Sequence, residues 1–385
     1  MIYPWARALI AGGLIAFLAA CASKPETPPS GGGGAADYLS LTPVAYSDLP
    51  GWNADAVAQA IPPLLKSCAR ILQMPPSRAM GMDGRAGLAA DWMGPCGAVR
   101  SVPVGNNAAA RAFFEQWFQP YRAFAGTRPD GLFTGYYEAD LNGSRKKSGR
   151  YRVPLHARPA GLSQDPSRSG TPYLSRAEIE AGALNGKTRT LLWVDDPVDA
   201  HILHIQGSGK VRLDDGQVVH VGFDGSNGQP FRGLGAILRD RGKLKPGEIT
   251  MPSVRDWLKA HPDQAPALMA ENPRYVFFRE VGPDGPFGAA GVALTPGRSL
   301  AVDTTFVALG TPLWLVSSDP DGVPLRRLMI AQDTGSAIKG PIRGDFFWGA
   351  GDAAFNKAGR MKSKGGYYLL LPRERRAPLA SNKPG

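Results

Sequence analysis

Glycine and proline interrupt this chain at short intervals, and their spacing constrains the fold more than any other feature of the sequence. The 385 residues include 48 glycines and 35 prolines. Proline lacks the backbone donor that helices and central strands need, and glycine is unfavourable inside both. No sustained alternation of strand and helix patterns is present. The sequence therefore predicts a mainly β protein with a few helices, as in barrel folds.

Four segments have the apolar periodicity or the capping residues of helices. The first, residues 53–73, contains Pro62-Pro63, which we expect to divide it into two short helices. The second carries an aromatic stripe that we interpret as core packing rather than as a sugar platform. The third begins with a capping box. The second helix is predicted at residues 106–124 and the third begins at Ser175-Arg176-Ala177-Glu178. A fourth is predicted at residues 252–261.

Most of the remaining chain has the pattern of strands. Two of these segments are joined by Asp214-Asp215-Gly216, which indicates a hairpin turn. The predicted strands are residues 200–206, 210–221, 274–279, 312–316, 325–332 and 366–371.

The N-terminus has the pattern of an export signal. Arg7 precedes an apolar stretch, residues 8–20, that is too short to span a bilayer comfortably. The segment Leu18-Ala19-Ala20-Cys21 resembles the lipobox of bacterial lipoproteins, which implies removal of residues 1–20 and lipidation of Cys21; a simple signal peptide is the alternative. Ala22 stands at the position where an aspartate would resemble an inner-membrane retention signal, so an outer-membrane destination is favoured. Residues 21–36 are rich in glycine, serine and proline and read as a flexible tether.

Two further cysteines, Cys68 and Cys96, remain after the lipobox. In an oxidising compartment such as the periplasm of a Gram-negative bacterium, an even pair predicts a disulfide, with two free buried thiols as the alternative. Neither cysteine has a histidine at metal-ligand spacing, so we expect no metal and no other cofactor.

The net charge of +11 is spread over the chain without a run of lysine and arginine. No nucleic-acid motif accompanies it, so binding to DNA or RNA is disfavoured. A basic surface suits an anionic polymer through long-range attraction, although solubility alone would also explain it.

Three aspartates in the last quarter of the chain carry the strongest functional signal. Asp303, Asp333 and Asp345 each lie between an apolar strand-like run and a loop that contains glycine. The rings of Phe346-Phe347-Trp348 follow the third aspartate directly. Carboxylates beside aromatic rings are typical of proteins that hold and cleave sugars. The alternative is that each aspartate only stabilises a turn.

The segments around these aspartates resemble the membrane-bound lytic murein transglycosylase A family, whose C-terminal region is called the three-aspartate (3D) domain. Further segments of the same family pattern follow one another in family order between residues 130 and 370. The matching segments are Phe133-Thr134-Gly135-Tyr136-Tyr137-Glu138, His204-Ile205-Gln206-Gly207-Ser208-Gly209, Asn272-Pro273-Arg274-Tyr275, Ala301-Val302-Asp303, Gln332-Asp333-Thr334-Gly335 and Gly344-Asp345. The family usually has Asp-Ile-Phe or Asp-Ile-Tyr where this chain has Asp345-Phe346-Phe347.

The resemblance implies a double-psi β-barrel split by an inserted second β-domain, with a glycan groove between the two. The barrel domain is expected at residues 37–136 and 281–372, and the insert at residues 137–280. Residues 373–385 have the composition of a disordered tail.

The resemblance also implies an activity: cleavage of the β-1,4 bond between N-acetylmuramic acid and N-acetylglucosamine in peptidoglycan without water, leaving 1,6-anhydromuramyl ends. The catalytic role falls on Asp345, as acid and then as base. Asp333 is expected to support it, and Asp303 to be structural or supporting. The expected substrate-binding residues are Thr134, Tyr136, Tyr137, Gln206, Ser208 and Lys339.

Two other readings remain open at this stage. The first is a hydrolase on the same barrel, which would use Asp333 as a second carboxylate to activate water. The second is a non-catalytic lipoprotein that binds peptidoglycan and does not need Asp345. In each case the partners are glycan strands and the outer membrane, and proteins of cell-wall synthesis or scaffolding are further candidates.

Overall fold

The computed structural model describes residues 38–82 and 84–373. The predicted signal sequence, lipidated Cys21, the tether and residues 374–385 of the predicted tail lie outside the described residues. Within the described ranges no helix combines the length and the apolar character needed to cross a membrane.

The described chain is mostly β-sheet with few long helices. Its strands are β1 (Leu39–Pro43), β2 (Phe118–Ala125), β3 (Gly131–Ser144), β4 (Val153–His156), β5 (Thr190–Val194), β6 (Ser208–Leu213), β7 (Val218–Ser226), β8 (Val276–Val281), β9 (Ser299–Val302), β10 (Pro312–Ser318), β11 (Pro324–Asp333), β12 (Arg343–Ala350) and β13 (Lys362–Pro372). Its α-helices are α1 (Ile61–Ile71), α2 (Ala89–Ala98), α3 (Asn107–Trp117), α4 (Arg176–Glu178), α5 (Pro197–Gln206), α6 (Leu234–Asp240), α7 (Met251–Ala260), α8 (Ala265–Ala270) and α9 (Asp352–Arg360).

Six strands close a cycle of pairings. In order around the cycle these are β13, β10, β11, β9, β12 and β3, and β3 pairs with β13 again. The β2 strand pairs with the C-terminal half of β13, beyond the part that pairs with β3, and β1 pairs with β2. Helices α1, α2 and α3 contribute buried side chains to the core of this cycle, so the N-terminal helices pack on the same body as the last five strands.

A second sheet continues from the far half of β3. There β3 pairs with β5 and β6, while β6 pairs with β7, β7 with β8, and β4 with β5. A separate hydrophobic core lies against this sheet and draws on helices α5 to α9. Because β3 belongs to both sheets, the predicted boundary between residues 136 and 137 falls inside one strand of 14 residues.

Most predicted elements are present, with three differences in the helical segments. Pro62-Pro63 lie in the first turn of α1, where proline needs no donor, and a short 3-10 helix at Val57–Ala60 precedes them. The segment therefore contains one α-helix rather than the two predicted. The second predicted helix ends at Trp117, and Phe118 begins β2 because Pro120 cannot continue a helix.

The predicted strand at residues 200–206 is wrong, because this segment is helix α5. The Asp196 carboxylate accepts hydrogen bonds from the backbone N–H groups of Val198 and Asp199, and Pro197 occupies the first helical position. Gly207 ends the helix in the left-handed region at φ 78°. Most side chains of this helix are buried. Its sequence therefore lacks the polar face that marks an amphipathic helix.

A disulfide joins Cys68 in α1 to Cys96 in α2, 28 residues apart in sequence. Replacing both cysteines with alanine removes this cross-link, so the unfolded chain gains conformational freedom. By the loop-entropy model we expect the free energy of unfolding to fall by about 3–4 kcal/mol, measured by urea denaturation. Wild-type protein in reductant serves as the control and should match the variant. Equal urea midpoints for the variant and the oxidised wild type would contradict this prediction.

Candidate active site

Asp333 and Asp345 lie in one row across three adjacent strands. Asp345 on β12 is opposite Ala301 on β9, and Ala301 is in turn opposite Asp333 on β11. Neighbouring strands are 4.7–4.9 Å apart, so the two aspartate Cα atoms are about 10 Å apart. Thr134 on β3 is opposite Asp345 on its other side. Pairing of four strands thus brings Thr134 and the two aspartates, which are distant in sequence, onto one surface.

The Asp345 carboxyl is held from one side by Thr134. The Thr134 hydroxyl donates a hydrogen bond to Asp345 Oδ1 at 2.5 Å, and Arg343 Nη2 donates to Thr134 Oγ1 at 2.8 Å. Burial raises the pKa of Asp345 to about 6, against the opposing effects of the Thr134 hydrogen bond and the Arg343 charge. The residue is half-buried, so the carboxyl is enclosed by protein but still reachable by a ligand.

Asp333 is held by the backbone rather than by side chains. Its Oδ1 accepts hydrogen bonds from the N–H groups of Ala289 and Thr334, each at 2.9 Å. Burial raises the pKa of Asp333 to about 6 although these hydrogen bonds lower it, and the charge of Asp345 adds to the rise. Since the two carboxyls interact, their apparent pKa values belong to the pair.

One aromatic ring of the three that follow Asp345 shares its face of β12. Side chains two residues apart in a strand point the same way, so Phe347 lies on the face of Asp345. Its ring is 5.1 Å from that of Tyr136, and both pack with Leu294 and Ala301. Phe346 and Trp348 pack on each other on the opposite face. Of the three rings, Phe347 therefore lies on the face of Asp345, together with the Tyr136 ring of β3.

The two tyrosines predicted to bind sugar are both buried. The Tyr136 hydroxyl lies beside Asp333 without a hydrogen bond of good geometry, and burial together with both aspartate charges raises its pKa. The Tyr137 ring packs on Phe355 at 5.2 Å within the second core. Tyr136 therefore faces the aspartates, whereas the Tyr137 ring does not reach the site and contributes only its backbone there.

Gln206 and Ser208 are brought next to β3 by the end of α5 and the start of β6. Gln206 Oε1 accepts a hydrogen bond from the Tyr137 N–H at 3.1 Å, and Ser208 is buried. Gly207 between them has a positive φ, which allows the chain to leave the helix and enter β6 directly. The amide of Gln206 therefore lies beside the strand that carries Thr134 and Tyr136.

Asp303 and Lys339 form a separate contact at the end of β9. The Asp303 carboxylate accepts hydrogen bonds from the N–H groups of Thr305 and Gly340, at 3.1 and 2.9 Å. Although burial opposes it, these bonds hold the pKa of Asp303 below its ordinary value. The exposed Lys339 Nζ is 3.9 Å from Asp303. Asp303 is thus a fixed carboxylate that joins two loops.

Sequence reasoning missed Arg343 and Gln332. Arg343 precedes Asp345 by two residues on β12, so its position on the same face was available from the strand alternation alone. Gln332 is fully buried, and its amide donates to Pro63 O and Ser67 Oγ of α1. Its contact with α1 spans more than 260 residues of sequence, so no local pattern could have indicated it.

Across residues 38–82 and 84–373 no group of three or more histidine, cysteine, aspartate or glutamate side chains is placed to hold a metal ion.

Comparisons with known proteins agree with this architecture. Residues 132–279 match the family model described as the MltA specific insert domain, and residues 298–371 match the 3D domain. The membrane-bound lytic murein transglycosylase A of Escherichia coli K12 is 29% identical over 392 residues, which is 98% of each chain. A crystal structure of E. coli MltA with bound chitohexaose is 25% identical, covers 90% of this chain and 99% of that one, and has a TM-score of 0.62.

Two further solved structures have higher sequence identity. The lytic transglycosylase LtgG of Burkholderia pseudomallei is 43% identical, with a TM-score of 0.62 over 88% of this chain and 97% of that one. MltA from Neisseria gonorrhoeae in its monoclinic form is 30% identical, with a TM-score of 0.75 over 88% of this chain and 94% of that one.

The mainly β fold and these relatives define an enzyme of the lytic transglycosylase class, which cleaves peptidoglycan. The chain belongs to the membrane-bound lytic murein transglycosylase A family.

Proposed function

We propose that this protein cleaves the β-1,4 bond between N-acetylmuramic acid and N-acetylglucosamine without water, with Asp345 as the only group that exchanges a proton with the glycan. The observation that carries this proposal is the placement of Asp345: its carboxyl is half-buried, its Oδ1 accepts a hydrogen bond from the Thr134 hydroxyl at 2.5 Å, and burial raises its pKa to about 6. A general acid with a pKa near the working pH is efficient in both directions of proton transfer.

In the first step the Asp345 carboxyl protonates the glycosidic oxygen while the bond to C1 of the muramyl residue breaks. Positive charge develops on C1 and the ring oxygen. In the second step the C6 hydroxyl of the same sugar attacks C1, and its proton returns to the Asp345 carboxylate. The attack is intramolecular, so it has a high effective concentration and needs no second carboxylate to activate water. The enzyme ends in its starting protonation state.

Asp333 supports this cycle as a neighbouring charge. When Asp333 is ionised, it disfavours loss of the proton from Asp345 and stabilises positive charge that develops nearby. Tyr136 packs beside the pair with Phe347, Leu294 and Ala301. We assign Asp303 a structural role, because its hydrogen bonds to backbone N–H groups account for its position and its lowered pKa.

Substrate contacts are proposed for the polar groups that border Asp345. Thr134, Gln206 and Ser208 lie on or next to β3, and Lys339 is exposed near Asp303. The groove for the glycan would run between the six-stranded cycle and the inserted domain. The closed cycle of pairings supports the double-psi barrel expected of residues 37–136 and 281–372, with residues 137–280 as the insert. The chitohexaose bound to an E. coli relative supports an amino-sugar polymer as ligand.

We also propose that the mature protein is anchored to the outer membrane by lipid on Cys21 and faces the periplasm. The lipobox-like segment before Cys21 supports this placement, as does the membrane-bound character named for its relatives. Multiple acyl chains anchor a protein stably.

The experiment that tests the activity is digestion of purified sacculi followed by mass spectrometry of the muropeptides. We expect 1,6-anhydromuramyl ends, which are one water lighter than the reducing ends produced by a hydrolytic muramidase run in parallel. EDTA should leave turnover unchanged, because each step uses only the carboxyl and the sugar. Reducing muramyl ends would instead assign the enzyme as a hydrolase with Asp333 as the second carboxylate, and undigested sacculi would leave only binding.

A further inference from the structure

Arg343 makes contacts that the proposed reaction does not use. Its Nη1 donates to Leu132 O and Gly344 O, and its Nη2 donates to Thr134 Oγ1 at 2.8 Å. The guanidinium is half-buried, and burial lowers the pKa of Arg343 while the Asp345 charge raises it. The side chain is thus fixed on the same face of β12 as Asp345, with Thr134 between the two.

This arrangement determines the direction of the hydrogen bond between Thr134 and Asp345. A guanidinium is a donor only, so the oxygen of Thr134 accepts from Arg343 Nη2. The single hydroxyl hydrogen is then directed to Asp345 Oδ1, 2.5 Å away. Within the described residues the Thr134 hydroxyl has no other acceptor among its hydrogen bonds. A proton on Oδ1 would meet this hydrogen, so protonation at Oδ1 is disfavoured.

We propose that Arg343 is a positioning residue that acts through Thr134 and assigns the exchangeable proton of Asp345 to Oδ2. The proposal rests on the proposed function and specifies its geometry. The proton leaves Oδ2 for the glycosidic oxygen as the C1–O bond breaks, and the proton of the C6 hydroxyl returns to Oδ2 as the new O6–C1 bond forms. Oδ1 remains bonded to Thr134 throughout, so the carboxyl does not have to rotate between the two steps.

The charged and titratable groups around Asp345 set the expected pH response. Arg343 on β12 favours its ionised form. Asp333 on β11 interacts with it as a like charge, which raises the pKa of Asp333, and burial keeps Tyr136 on β3 neutral beside both. Lys362 on β13 is opposite Thr134 and is exposed. Loss of the Arg343 charge or of the Thr134 hydrogen bond makes Asp345 harder to ionise. The decline of activity at high pH should therefore move to higher pH.

A double-mutant cycle with Thr134→Val and Arg343→Met tests the route of action. A hydrogen bond to a charged group supports an expected loss in kcat of about 10–100-fold for each single variant. If Arg343 acts through Thr134, the loss of kcat in the double variant should be no larger than the loss in the less active of the two single variants. Two losses that multiply would show that Arg343 and Thr134 act independently, and would overturn the proposal.

The pH profile of kcat separates positioning from mere support of the fold. Both single variants should move the basic limb to higher pH, whereas Arg343→Lys keeps a positive charge and should leave it near the wild-type position with a partial loss of kcat. Arg122→Met is the matched control, because Arg122 is exposed on β2 over Phe124, and it should change neither quantity. An unmoved limb in Thr134→Val and Arg343→Met would also overturn the proposal.

Folding and reaction type are measured beside the kinetics. If Arg343→Met fails to fold, the cycle is run with Arg343→Lys and Thr134→Val, for which the same non-additivity is expected. The identity of the wild-type muropeptides is independent of the cycle. A failed cycle with anhydro products would refute only the role of Arg343, whereas reducing ends from the wild type would refute the proposed reaction.

Discussion

Replacing Asp345 with asparagine should abolish nearly all turnover of murein while glycan binding persists. Asparagine keeps the shape and can still accept the Thr134 hydrogen bond at 2.5 Å, but it has no proton to give and no carboxylate to take one back. General acid–base catalysis contributes 10²–10⁴-fold, and here one group serves both steps, so we expect a loss of about 10³–10⁴-fold in kcat. Release of soluble muropeptides measures the rate, and sedimentation with sacculi measures binding.

Asp333→Asn is the matched variant, since both carboxyls have a pKa raised to about 6 by burial. We expect a smaller loss, roughly tenfold, because Asp333 supports and does not exchange the proton. In the wild type, turnover should fall as the pH rises above about 6, since the first step needs Asp345 protonated. In Asp333→Asn this decline should begin at lower pH, because a neighbouring negative charge is gone.

Near-wild-type turnover by Asp345→Asn would rule out the mechanism.

Replacing Asp55 with asparagine should give the largest loss of stability. Asp55 and Arg298 form a buried bidentate ion pair, with side chains 6% and 3% exposed and N–O distances of 2.7 and 2.9 Å. The same carboxylate accepts the Leu328 N–H at 3.0 Å. Removing one partner of a buried pair leaves the other charge uncompensated, which typically costs about 3–5 kcal/mol. Urea denaturation at neutral pH measures this change.

Arg298 directly precedes β9, which lies between the strands of the two aspartates. We therefore expect Asp55→Asn to lower kcat as well as the free energy of unfolding. Asp48→Asn is the control, because Asp48 is exposed nearby in the sequence and its carboxylate accepts a hydrogen bond from the Ala45 N–H. It should change stability by about 1 kcal/mol or less. A change of similar size in both variants would mean that the buried pair contributes no more than a surface contact.

The sequence alone determined the local elements and the class of fold. The strand-like runs at residues 312–316, 325–332 and 366–371 lie within β10, β11 and β13, and Asp214-Asp215-Gly216 lies in the turn between β6 and β7. The capping box at Ser175 and the disulfide of Cys68 with Cys96 are also present. The strand, turn and capping patterns depend only on neighbouring residues, and two cysteines can pair in only one way. These features can therefore be predicted from the sequence. The helix α5 was not recognised, because a segment buried on most sides has no polar face to set its period.

Only the tertiary structure decided what surrounds the two central carboxyls. Thr134 and Asp345 are separated by 211 residues and meet because β3 pairs with β12 in one particular register. A shift of one residue would have turned every side chain to the other face. The same packing buries Tyr137 away from the site and places Arg343 against Thr134. The pKa of Asp345 is raised by burial, and burial is the sum of contacts from distant segments, so no pattern along the chain contains it.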